Sequence, residues 1–196
     1  PMPGAADPEG ISHVEGDLFV VSDESDNRLH WVRIRPGDTA ARPHAVTRLP
    51  PRFGHLHNLG LEGVSWDERR GELLAVNEKW PRRVLALRGL APDAPDQAGI
   101  GVTEWRPKGW PGLLGSDLSS LTVHDASGNL LLLSDESALV AEYSRQGRLL
   151  GVLPLAPGQH GLTREVPQAE GITLGPDDRL YIVSEPNLFY RFKRGH

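Results

Sequence analysis

Glutamate recurs at two phases along this 196-residue sequence. One set stands in a Glu-Gly pair at the head of a short apolar run: Glu9, Glu62 and Glu170. The other set closes the apolar run that follows: Glu24, Glu78, Glu136 and Glu185. Carboxylates gathered in a small volume raise one another's pKa, and burial adds to the effect. A hard cation relieves that conflict. Calcium suits such a set best, since it takes roughly six to eight oxygen ligands and tolerates irregular geometry, whereas magnesium demands an octahedron. The plainer alternative is that each glutamate accepts backbone amides of a neighbouring element. One place breaks the pattern: Ser119 and Ser120 replace Glu-Gly, with Asp117 two residues earlier. A ligand ring short of one member leaves an open quadrant, as catalytic metal sites do. A metal there would polarise the scissile oxygen of a lactone or phosphoester while a spare carboxylate served as general base.

Such residues must be positioned by repeated elements. Positions 9, 62, 119 and 170 are separated by 53, 57 and 51 residues. A period near 50 built of short strands is that of propeller blades rather than helical repeats. The repeats lie near 7–50, 60–106, 117–155 and 168–194, as one domain over 1–196. Each reads as an antiparallel meander. Two apolar runs flank a polar, Gly-containing turn: Glu15-Gly16, residues 67–71, 125–128 and 175–178. Third strands are expected at 29–34, 84–87, 140–143 and 189–192. Fourth strands are expected at 45–49, 101–105 and 149–153 only. The predicted fold is therefore an all-β propeller of about four blades, favoured over a β-sandwich because sandwiches do not repeat a carboxylate at fixed phase. Phe19, Val21, Leu74, Val76, Leu131, Leu133, Leu180 and Ile182 are the expected core between blades. The start of one hairpin strand and the end of the next share one end of the sheet, so all seven glutamates are expected at one mouth of the central channel.

Composition narrows the chemistry. There is no cysteine, which removes disulfides, thiolate metal sites and cysteine nucleophiles. Lys+Arg 21 against Asp+Glu 26 gives a net charge of −5 and no basic patch, so nucleic acid is not an expected partner. No apolar run reaches the roughly 18 residues of a membrane-spanning helix. No Gly-x-Ser-x-Gly, His-Glu-x-x-His or phosphate-cradling glycine loop is present. His55 and His57 read as loop residues entering the second repeat. Trp31, Trp66 and Trp105 read as core between blades. Trp80 and Trp110, near the acidic mouth, read as packing residues with a ligand contact as the alternative.

Six segments carry a family resemblance: Asp-Pro-Glu-Gly-Ile (7–11), Gly-Leu-Glu-Gly-Val (60–64), Asn-Glu-Lys-Trp-Pro-Arg-Arg-Val (77–84), Asp-Leu-Ser-Ser-Leu (117–121), Leu-Leu-Leu-Ser-Asp-Glu-Ser (131–137) and residues 168–190, with Gln-Ala-Glu-Gly-Ile and Ser-Glu-Pro-Asn-Leu-Phe-Tyr. Together they resemble the SdiA-regulated family of bacterial proteins over essentially the whole chain. The resemblance implies a β-propeller of the broad phytase-like and gluconolactonase-like class, exported or anchored at the cell envelope. It implies a ring of five blades with a further repeat ahead of the Asp-Pro-Glu-Gly block. On that reading the ring is incomplete here, the last blade has an open outer edge, and self-association through that edge is expected. Two functions follow: a binding or scaffold module for a small molecule or protein at the acidic rim, with calcium, or a metal-dependent hydrolase. The first is preferred, because no base stands at a diagnostic spacing.

Overall fold

The computed structural model describes residues 2, 4–25, 27–49, 60–77, 81–92 and 99–193. Among the described residues every regular element is a β-strand. The first sheet runs β1 (Pro8–Glu15), β2 (Leu18–Asp23), β3 (Arg28–Arg33), β4 (Arg42–Arg48). The second is β5 (Leu61–Asp67), β6 (Glu72–Asn77), β7 (Arg83–Arg88), β8 (Gly101–Trp105). The third is β9 (Ser120–Val123), β10 (Leu130–Ser134), β11 (Leu139–Tyr143), β12 (Leu149–Pro154). The fourth has three strands, β13 (Ala169–Leu174), β14 (Leu180–Ser184) and β15 (Leu188–Phe192). All neighbours are antiparallel and sequential, so each repeat is one meander. The four sheets stand in a ring as propeller blades. Their first strands β1, β5, β9 and β13 are innermost and pack in that order.

Burial follows from this stacking. β6 is buried at all six positions, because a second strand in an inner blade has a sheet against each of its faces. β12, an outermost strand, has no buried residue: four of its six positions are exposed and two half-buried. The turns between first and second strands use left-handed residues: Gly16, Gly71 and Gly128 in three blades, and Asp178 at φ 56° in the fourth.

Among the described residues three apolar cores join the four blades. The first holds Val20, Leu29, Trp31, Leu61 and Leu73, with Trp31 and Trp66 edge to face at 6.1 Å. The second holds Leu74, Val84, Leu121, Leu132 and Tyr143, with Trp105 and Tyr143 edge to face at 5.7 Å. The third holds Leu133, Val140, Ile172, Leu180 and Ile182. No corresponding core among the described residues joins the fourth blade to the first. Ile11, Val183 and Phe189 are instead 57%, 48% and 66% exposed.

Two expectations of the core are corrected. Phe19 is half-buried because its face of the first blade looks onto the open junction. Leu131 is half-buried because it borders a cavity of about 360 Å³ between the third and fourth blades, beside Leu153, Leu180 and Phe192. The other six residues of the expected core are buried. Trp110 is 95% exposed and packs against nothing that would bury it, contrary to its reading as a packing residue. His55, His57 and Trp80 lie outside the described residues.

Candidate functional site

The glycines of the first two Glu-Gly pairs are spacers between blades. A Cβ on Gly10 would meet the Glu62 carbonyl oxygen and the Val64 amide of the second blade, and one on Gly63 would meet the Ser120 Cα of the third. Hydroxyl groups then tie successive innermost strands together. Ser12 Oγ accepts the Trp66 amide at 2.9 Å, Ser65 Oγ accepts the Val123 amide at 3.0 Å, and Ser119 Oγ donates to the Ala169 carbonyl at 2.7 Å. Ser119 thus performs in the third blade a linking role that no metal requires.

Aspartates close the mouth end of the blades. Asp23, 2% exposed, accepts the amides of Ala6 (2.7 Å), Asp7 (3.3 Å) and Ser25 (3.1 Å) and the Ser25 hydroxyl (2.6 Å). Burial alone would raise its pKa, but these hydrogen bonds outweigh it and hold the carboxyl below its ordinary value. Asp117 does the same work in the third blade from the first-strand side. It accepts the Ser134 hydroxyl and the amides of Asp135 (3.1 Å) and Glu136 (3.2 Å). Asp135 Oδ1 accepts the Ala169 amide of the fourth blade at 2.7 Å. Aspartates beside the glutamates thus accept blade-closing amides in these blades.

The glutamates are distributed unevenly. Carboxylate oxygens of Asp7, Glu9 and Glu24 lie within 4.8 Å of one another, the one such group among the described residues. Partial burial of its carboxyl raises the Glu9 pKa, and the charges of Asp7 and Glu24, a hydrogen bond with Asp7 and the charge of Glu170 push it further. Glu170 is thus close enough to act on Glu9, although it is outside the three-residue group. Glu62, on the second blade, is half-buried; its carbonyl accepts the Ser22 hydroxyl at 3.3 Å. Glu136 and Glu185 are exposed on the third and fourth blades. Glu78 lies outside the described residues. Asp7 was not singled out from the sequence. The signal for it is the i, i+2 spacing to Glu9, which puts both side chains on one face of an extended chain.

Below the mouth, the innermost strands enclose a central cavity of about 440 Å³ lined by Ile11, Val14, Val64, Leu121 and Ile172, with Ser65 and Thr122 among them. At the far end, His124 Nδ1 is 2.8 Å from Ser127 Oγ and its Nε2 is 3.2 Å from Asp178 Oδ1. The three residue types are those of a hydrolytic triad. Ser127 Oγ, however, also accepts the Asn129 amide at 3.2 Å within its own turn, so the trio clamps the turn of the third blade to that of the fourth.

Sequential four-stranded meanders around a shared axis, with innermost strands packed in order and a channel between them, define a β-propeller. The chain belongs to the SdiA-regulated family, whose model matches residues 1–193. Among solved structures it is similar to a chain of a nidogen/laminin complex (TM-score 0.51, 16% identity, 93% of this chain and 57% of that one). It is also similar to hydrazine synthase of Kuenenia stuttgartiensis (TM-score 0.53, 8% identity, 97% and 47%). The WD40 β-propeller domain of Doa1 matches at TM-score 0.48 and 14% identity, over 95% and 51%. The chain spans about half the length of these structures.

Proposed function

We propose that this chain is a binding propeller of the cell envelope that presents its acidic mouth to a small molecule or protein, with calcium held by Asp7, Glu9 and Glu24. One observation carries the reading: carboxylate oxygens of Asp7, Glu9 and Glu24 lie within 4.8 Å of one another, and burial together with the charges of Asp7, Glu24 and Glu170 raises the Glu9 pKa, while Asp23 beside them accepts several donors. The mouth therefore holds negative charge that the fold does not neutralise at Glu9. The donors are all hard oxygens and their exposure leaves room for water, which suits calcium better than a softer ion. Glu170 and Glu62 stand on other blades of the same mouth and give a partner further carboxylates to address.

Thermal unfolding with calcium, magnesium and chelator tests this. A ligand bound only by the folded chain raises the Tm by mass action. Calcium is expected to raise it more than magnesium, and Glu9→Gln and Glu24→Gln are each expected to abolish the response without unfolding the chain. A Tm indifferent to calcium and chelator overturns the metal reading. A panel of lactones and phosphoesters assayed with calcium and with chelator addresses the hydrolase alternative. Chelator-sensitive turnover, lost in Glu9→Gln, would replace the binding role by a catalytic one.

A further inference from the structure

The open junction between the fourth and first blades has the chemistry of a site. Its walls are the faces that would have formed a fourth core: Ile11 and Phe19 on the first blade, Tyr181, Val183 and Phe189 on the fourth. Both walls are aromatic-rich. His13 and Phe19 meet edge-on at 5.1 Å, and Tyr181 and Phe189 lie tilted at 5.6 Å. The two walls bound a single cavity of about 390 Å³, within the range of small-molecule sites. The mouth end of the cavity is lined by Glu9 and Glu170, and no lysine or arginine is among its described lining residues.

We propose that this slot binds a hydrophobic cation, an alkyl or aryl group carrying a primary or quaternary amine. The apolar body lies between Ile11, Phe19, Val183 and Phe189, removing their exposed surface from water. The ammonium sits at the Glu9 and Glu170 end, where it meets two carboxylates. An anion of the same shape is excluded by the same carboxylates. The site shares Glu9 with the calcium reading, but its apolar half is independent of it.

Calorimetric titration of the 196-residue chain with octyltrimethylammonium, octanol and octyl sulfate, all below micelle formation, tests the proposal. The ammonium is expected to bind one to one and at least tenfold tighter than octanol, with octyl sulfate weakest. Phe189→Ala is expected to weaken both ammonium and octanol about tenfold, and Glu170→Gln the ammonium alone. Phe189 is mostly exposed, so its truncation leaves the fold intact, which an unchanged Tm verifies. Glu24→Gln separates the two sites: it is expected to remove the calcium response and spare ammonium binding, whereas Phe189→Ala does the reverse. Equal binding of ammonium and sulfate, or ammonium binding unmoved by Phe189→Ala, overturns the proposal. So does sedimentation showing a dimer that Phe189→Ala dissociates, since a second copy would then occupy the slot.

Discussion

A Cβ on Gly10 would lie 2.4 Å from the carbonyl oxygen of Glu62. The contact is backbone against backbone, so neither side can rotate away. Gly63 stands in the same relation to the Ser120 Cα, at 2.6 Å. Gly171, the third glycine of a Glu-Gly pair, meets only the Val183 side chain of its own blade. None of the three has a left-handed φ, so crowding alone decides their tolerance.

Gly10→Ala and Gly63→Ala are each expected to destabilise the chain by about 1–3 kcal/mol, the range for overpacking. Gly171→Ala is expected to cost less than about 1 kcal/mol, because Val183 is half exposed and can turn aside while alanine restricts the unfolded chain. Urea midpoints at constant m-value measure the difference. Equal losses at all three positions would show that the glycines are needed for something other than the approach of the next blade.

Glu9 sets a pH dependence of known sign. Its folded pKa lies above the ordinary glutamate value of 4.5, so the folded chain binds the proton more tightly than the unfolded chain. Stability is therefore expected to fall as pH rises from about 4.5 through the folded value, and to stay lowered above it. Glu9→Gln removes this loss and flattens the curve, and calcium is expected to do the same for the unsubstituted chain. Asp23 has the opposite sign: its depressed pKa gives stability that disappears as pH falls below the ordinary aspartate value of 3.8. Melting curves between pH 3 and 8, with and without Glu9→Gln, separate the two.

Glu72 is fully buried, accepts Arg88 Nε at 2.6 Å, and pairs with Arg145 of the third blade. Arg145 also offers its carbonyl to Trp105 Nε1 at 2.8 Å. Removing one partner of a buried pair strands the other charge, so Glu72→Gln is expected to cost about 3 kcal/mol. Replacing Glu72 and Arg145 together by methionine is expected to cost less than Glu72→Gln alone. A double substitution that is worse than the single one would place the role of Arg145 outside this ion pair.

The repeat period and strand alternation made the blades legible. β8 falls on the predicted residues 101–105, and the other third and fourth strands are displaced by at most about a turn's width at their ends. Phase also carried Glu9 and Glu24 to one mouth. Phase could not show which carboxylates accept the blade-closing amides. Asp23 and Asp117 occupy different sequence positions yet accept blade-closing donors, because the carboxylate can be supplied from either side of the hairpin. Glu72 stands at the head of the second apolar run of its repeat, and its burial depends on Arg145, 73 positions away. The half-exposure of Phe19 was equally invisible, since it depends on which blade stands opposite.

Three cores among four blades make the mechanics those of a linear array rather than a closed hoop. In such an array stability is a sum over neighbours, and the terminal units each have one neighbour fewer. The first and fourth blades should then fray at lower free energy than the two between them. Amide exchange would be slowest along β6 and β10, and the acidic mouth and the apolar slot both sit on the blades that loosen first. A ligand bridging Glu9 to Glu170, or Phe19 to Phe189, would join the ends of the array and convert local fraying into a single cooperative transition.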